Sequence, residues 1–170
     1  MPDVHDTATR SRNMAAVRGK DTKPELLIRR GLHGLGFRYR LQAKDLPGRP
    51  DLVLPKHRAV IFIHGCFWHG HDCHLFRLPG TRTQFWEQKI SSNRERDCRT
   101  LLALSQRQWR TGIVWECAVR GRGSIGVGPA LEQLAEWLRN DVPAIVLPGR
   151  ETGDRNRKAP GPGSASQKLK

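Results

Sequence analysis

The run AVIFIH at residues 59–64 is apolar on both of the faces between which an extended chain alternates. Such a strand belongs in the middle of a sheet covered on both sides, because either face left to water would expose a row of large apolar groups. GIVWEC at 112–117 has the same character and reads as a second buried strand. Three segments around them read as helices. In TKPELLIRRGLHGL, Thr22 and Glu25 have capping-box spacing, Pro24 lies in the first turn, and Leu26, Leu27, Leu32 and Leu35 supply an apolar face ended by Gly36. TQFWEQKISSNRERDCRTLLALSQRQ, capped by Thr83, is apolar at both ends and charged in the middle. PALEQLAEWLRN carries Leu131, Leu134, Trp137 and Leu138 on one face. FRYRL reads as a half-buried strand, the turn LPGRP delivers DLVLP as the next, and PK with HR makes a hairpin connection to AVIFIH. The order helix, three strands, helix, strand, helix predicts an α/β fold of the α+β kind, a small mixed central sheet flanked by helices.

At 170 residues one core-bearing domain is expected, over 21–142. Before it, residues 1–20 are basic and polar, with too little apolar surface for a stable helix, and are expected to order on a partner. After it, 143–170 reads as a flexible basic tail rich in Pro and Gly. Thirty Lys and Arg against sixteen Asp and Glu give a net charge of +14, and arginines run through 77–122 as well as the tail, so a polyanion is the natural partner. No apolar run is long enough to span a membrane and no signal peptide is readable, so a cytosolic chain is expected.

In such a compartment, cysteines beside histidines favour metal ligation or free thiols over disulfides. The stretch FIHGCFWHGHDCHLF at 62–76 concentrates them. Cys66, His71 and Cys73 have the short spacing of a metal knuckle, and Cys117 closes its strand as Cys66 follows AVIFI. Neighbouring strand ends would join all four into the Cys3His set that Zn2+ prefers in structural sites. The competing reading is ordinary buried thiols with stray histidines. His69, His74 and Cys98 compete for ligand roles, although Cys98, beside Leu101 and Leu102, reads as core. Asp51, opening the DLVLP strand after Pro50, can hold hydrated Mg2+ if Glu25 comes within reach, the arrangement that phosphodiester hydrolysis needs. Glu25 is also explained by its capping role. His64 and His69 flank Cys66 and can serve as a proton acceptor and donor pair. Asp97 could orient one of them, but a solvated carboxylate among arginines is the simpler reading. Phe67, Trp68 and Trp86 form either a satellite core or wedges that enter a base stack, with Arg77, Arg82, Lys89 and Arg94 favouring nucleic acid.

LPGRPDLVLP, VIFIHGCFWHGHDC, TRTQFWEQKISSNRERD and VWECAVRGR, with VHDTATRSRNMAAVRGKDTKPE at the front, closely resemble the very-short-patch repair (Vsr) DNA mismatch endonucleases over roughly residues 3–140. The resemblance implies a restriction-endonuclease-like fold with a structural zinc. It also implies Mg2+-dependent nicking 5′ to the thymine of a T·G mismatch left by 5-methylcytosine deamination. It makes Asp51 the Mg2+ ligand with the main-chain carbonyl of Ile63. Glu25, His64 and His69 become active-site residues, and Cys66, His71, Cys73 and Cys117 the zinc shell. Phe67, Trp68 and Trp86 look like intercalating aromatics, Met14 like a residue reaching from the other groove, and Lys89 and Asn93 like readers of the mismatch region. The implied partners are duplex DNA with a T·G mismatch and mismatch-repair proteins such as MutL, with a functional link to a cytosine-5 DNA methyltransferase. The implied setting is a monomer in the bacterial cytoplasm, at the nucleoid when acting. Ile63 departs from the threonine of family members, and the lysine of wider restriction-type sites is missing from FIH. Two alternatives stay open: a nuclease of the same fold acting on unmismatched or otherwise damaged DNA, and a zinc-containing DNA-binding protein without catalysis.

Overall fold

The computed structural model describes Thr9 and residues 20–150. Met14 and most of the expected N-terminal segment therefore lie outside the described residues, as does 151–170. The elements are α1 (Lys23–Gly34), β1 (Arg40–Leu41), β2 (Leu52–Leu54), a 3-10 turn (Pro55–His57), β3 (Ala59–His64), α2 (Thr83–Gln106), β4 (Arg110–Trp115), α3 (Glu116–Val119), α4 (Val127–Arg139) and β5 (Ala144–Leu147). The strands form one mixed sheet in chain order, antiparallel from β1 to β3 and parallel from β3 to β5.

The two-faced apolar runs do what their composition requires. Leu52, Leu54, Ala59, Ile61 and Val114 point into a core shared with Ile28 and Leu32 of α1 and Leu134 and Leu138 of α4. Val53, Val60 and Phe62 point the other way, into a second core closed by Leu104 of α2. The sheet is thus sandwiched between helices, and the α/β expectation holds.

Several local expectations are corrected. In α1 Leu27 and Leu35 are 36% and 48% exposed, and Ile28 takes the inward place beside Leu32. The cause is a close approach of α1 to α4 at Gly31, where a Cβ would lie 2.2 Å from the Leu131 side chain, so 24, 28, 31 and 32 define the inner face. Thr83 does not cap α2: Arg82 holds that position at φ 54°, and the Thr83 hydroxyl donates instead to the carbonyls of Pro79 and Gly80. The sheet also continues past the expected end of the domain at 142, because Ala144–Leu147 pairs with β4 as an edge strand. No helix among the described residues is long and apolar enough to cross a membrane.

Candidate active site and metal centre

The parallel β3–β4 register sets His64 beside Trp115. The chain then leaves the sheet on both strands together, and Cys66 and Cys117, each two residues further on, emerge side by side. The His71 N–H donates to the Cys66 carbonyl at 2.9 Å and the Phe76 N–H to the Cys73 carbonyl at 3.0 Å, which folds the loop back on itself. Consequently the ligand atoms of Cys66, His71, Cys73 and Cys117 all lie within 4.8 Å of one another, and none of the four cysteines of the chain is in a disulfide. Burial pushes the Cys66 and Cys117 thiols up and the His71 imidazole down, so without a cation the thiols would stay protonated. A tetrahedral metal with bonds to sulfur of about 2.3 Å has edges of about 3.8 Å, which this cluster reaches with a small contraction. The set can hold a metal ion, and its donors are those that Zn2+ prefers.

Of the competing ligands, none joins this cluster. His69 turns to Asp97. The His74 Nε2 is buried under Gly121 with no hydrogen-bond partner among the described residues. Cys98, expected in the core, is exposed on the rim of a groove lined by Phe76, Leu78, Ile90 and Arg94.

Asp51 sits at the start of β2, where its Oδ2 accepts the Ile63 N–H at 2.7 Å. The pairing of Leu52 with Ile61, continued by two residues, sets Pro50 opposite Ile63, and a proline has no N–H to offer the Ile63 carbonyl. The Ile63 N–H is thereby left to the Asp51 carboxylate, and the Ile63 carbonyl to whatever that carboxylate binds. Burial, with Glu25 adding repulsion, pushes the Asp51 carboxyl up from 3.8 to about 6 against the opposing pull of the Ile63 N–H and of His69. Glu25 itself is buried at 2% exposed, with Oε2 accepting the Thr22 N–H at 3.4 Å and Oε1 facing Arg29 at 3.4 Å. Capping and proximity to Asp51 therefore coexist.

His64 and His69 stack ring on ring, centroids 3.8 Å apart and 3° from parallel. His69 Nδ1 lies 2.5 Å from Asp97 Oδ2, so only its Nε2 remains for another partner. The solvated reading of Asp97 is overturned. Positions 86, 90, 93, 97, 101 and 104 form one stripe of α2 at helical spacing, and the stripe is apolar at its ends and polar at Asn93 and Asp97. Burial pulls His64 down to about 4, the neighbouring His69 adding to the effect and Asp97 opposing it, so the ring is neutral at pH 7. Trp115 was not singled out by sequence, since an aromatic ending an apolar strand reads as core. It stacks on His71 at 4.2 Å and meets His64 edge-on at 5.3 Å, forming a wall between the metal cluster and the histidine pair.

Phe67, Trp68 and Trp86 come together: Phe67 meets Trp68 at 5.2 Å and Trp86 at 5.3 Å between centroids. Trp86 is only 8% exposed, so in the unbound chain the group is a satellite core, with Phe67 and Trp68 half open to solvent. The Asn93 amide donates to the Trp68 carbonyl at 2.8 Å and pins this loop to α2, while Lys89 is exposed nearby on the same helix. Phe85, not singled out by sequence, is 46% exposed at the edge of the cluster with the Arg82 guanidinium over its ring.

Comparison with known proteins gives the family. The family model described as DNA mismatch endonuclease Vsr matches residues 2–75. The DNA mismatch endonuclease Vsr of Escherichia coli (strain K12) is 51% identical over 138 residues, 81% of this chain and 88% of that protein. The type II nicking enzyme V.XorIIP of Xanthomonas oryzae pv. oryzae is 48% identical over 112 residues, 66% of this chain and 82% of that enzyme. The type II nicking enzyme V.NmeAIP of Neisseria meningitidis serogroup A is 43% identical over 122 residues, 72% and 87% of the two chains.

Proposed function

We propose that this chain, which belongs to the Vsr family of DNA mismatch endonucleases, nicks one strand of duplex DNA on the 5′ side of the thymine in a T·G mismatch. The observation that carries the reading is the convergence, at one end of the sheet, of the buried Asp51 carboxylate on the Ile63 peptide with the stacked His64–His69 pair tied to Asp97. A buried carboxylate beside a histidine pair at the end of a sheet is the kind of grouping that catalytic sites use.

Asp51 and the Ile63 carbonyl, with Glu25 behind them, would hold Mg2+; Arg29 faces Glu25, but among the described residues no Lys or Arg pairs with the Asp51 carboxylate, which fits that ion. When bound, Mg2+ supplies Lewis-acid polarisation of the phosphate and makes neighbouring water more acidic. His69, oriented through Nδ1 by Asp97, takes the proton of the attacking water on Nε2, and Asp97 balances the charge the ring gains. His64 stays neutral near pH 7 and offers an N–H to the phosphate or the leaving oxygen. Cys66, His71, Cys73 and Cys117 would hold Zn2+, and four protein ligands would leave no position for substrate, so its role would be to fix the loop. Phe67 and Trp68, and Trp86 if the cluster opens on DNA, enter the stack. A T·G wobble pair is selected because it costs less to unstack than a Watson–Crick pair. Exposed Arg77, Arg82, Lys89 and Arg94 neutralise phosphates beside them. The setting is the bacterial cytoplasm, with MutL-type repair proteins as partners and a cytosine-5 methyltransferase generating the substrate's precursor.

The test is a panel of duplexes with T·G, matched C·G and other mismatches in several sequence contexts, incubated with Mg2+ and mapped for nicks. Nicking confined to the T strand of T·G supports the reading. Equal cutting of matched duplexes would move the chain toward the restriction-like alternative, and tight binding without cutting toward the non-catalytic one.

Asp97 gives a sharper expectation. Asp97→Asn keeps the shape but removes the charge facing His69 Nδ1, and the single-turnover nicking rate should fall by roughly a hundredfold, with DNA affinity unchanged. A rate within a factor of about three of the parent would remove Asp97 and His69 from the proton pathway.

A further inference from the structure

Beyond β5 the chain turns back over the metal cluster. The Gly149 N–H donates to Cys117 Sγ at 3.2 Å, and the Arg150 N–H donates to the Gly123 carbonyl at 2.5 Å. Two successive peptides thus tie this segment to the two ends of the turn that carries Cys117. Pro148 before them has no N–H, so Gly149 is the first residue after the strand able to reach the sulfur. Nothing larger than glycine fits there. A Cβ at 149 would lie 2.5 Å from the Cys117 carbonyl oxygen and 2.8 Å from that of Gly123. Both are backbone atoms that cannot swing aside. Gly149 has no left-handed φ, so the requirement is space and not conformation.

We propose that residues 148–150 are a strap that closes the metal centre, with the Gly149 peptide as the outer donor that orients and supports the Cys117 thiolate. It rests on the zinc reading above. An N–H aimed at a metal-bound sulfur draws off part of its charge and fixes the direction of its lone pairs, and loss of such outer partners typically weakens metal binding about 10- to 100-fold. The strap lies in the stretch that sequence pattern assigns to a flexible tail, and it makes the end of the sheet part of the metal site.

The experiment uses full-length, zinc-loaded protein and two substitutions. Gly149→Ala forces the strap off the sulfur, and Arg150→Pro deletes the tie to Gly123 without adding a Cβ at 149. Zinc transfer to a colour-forming chelator should be roughly 10- to 100-fold faster for Gly149→Ala and measurably faster for Arg150→Pro. After Co2+ substitution, the thiolate-to-metal charge-transfer band of Gly149→Ala should shift, a change that loosened packing alone would not produce. A zinc-loaded parent whose two variants release zinc within twofold of it, with an unmoved band, overturns the strap alone. A parent that holds no stoichiometric zinc overturns the metal reading and the strap with it.

Discussion

Asp51→Asn should abolish nicking and at the same time make the protein more stable. The substitution keeps an oxygen for the Ile63 N–H, so the 2.7 Å contact at the start of β2 survives and the fold should not suffer. The negative charge that would attract Mg2+ is removed, and with it several kcal/mol of transition-state stabilisation, about a thousandfold or more in rate. The stability change follows from burial. The Asp51 carboxyl is pushed up from 3.8 to about 6, chiefly by desolvation and then by Glu25. Because the folded value lies above the unfolded one, this group favours the fold most below about pH 4. That contribution is lost as pH rises through about 6. A shift of that size corresponds to roughly 3 kcal/mol at 1.4 kcal/mol per unit. In Mg2+-free buffer at pH 8 the Asn variant should therefore melt above the parent, with the gap closing between pH 6 and pH 4. Adding Mg2+ should raise the melting temperature of the parent and leave that of the variant unmoved. Thermal melts across pH and a single-turnover assay together check it. A variant that nicks like the parent removes Asp51 from the metal, and one that melts below the parent at pH 8 contradicts the electrostatic account.

That trade of stability for chemistry also explains which parts of the molecule were legible in its sequence. AVIFIH declares itself as a central strand because burial on both faces leaves no other residue types available, whereas β4, the strand of GIVWEC, is fully buried only at alternate residues, Gly112 and Val114. Their parallel register then leads to the metal cluster, since each of the paired strand ends, His64 and Trp115, is followed two residues later by a cysteine. β5 escaped notice because an edge strand is half exposed: AIVL is short, bounded by Pro143 and Pro148, and carries Val146 at 54% exposed. Asp97 reads as solvated, and its role as orienter of a histidine as the lesser alternative, because Arg94, Glu95, Arg96 and Arg99 surround it in sequence and only its place on the inward stripe of α2 separates it from them. Cys98 lies one residue, and so about a quarter turn, further round the same helix, which is enough to turn a core expectation into an exposed thiol. Trp115 and Asn93 act through contacts across 25 residues or more of chain, to His71 and Trp68, which no local pattern encodes.

Cys117→Ser is the second large effect, and here the fold is expected to fail. Cys66 and Cys117 are 0% and 1% exposed, and between Cys66 and the start of α2 the chain forms no helix or strand of its own. That loop carries His69, Phe67 and Trp68, and its own hydrogen bonds are a few turns. A structural zinc contributes on the order of 10 kcal/mol to the folding of small domains, comparable with the whole stability of a domain of this size at about 5–15 kcal/mol. Removing one of four ligands also leaves a buried hydroxyl facing two thiols and an imidazole that no longer share a cation. The variant should lose its cooperative melt at 37 °C, with the zinc-to-protein ratio falling from about one toward zero. Cys98→Ser is the control: an exposed thiol outside the cluster, its replacement should change neither zinc content nor melting. A folded, active, zinc-free Cys117 variant would refute the metal as the element that holds the loop. The stacked histidines would then have to be positioned by Trp115 and Asp97 alone.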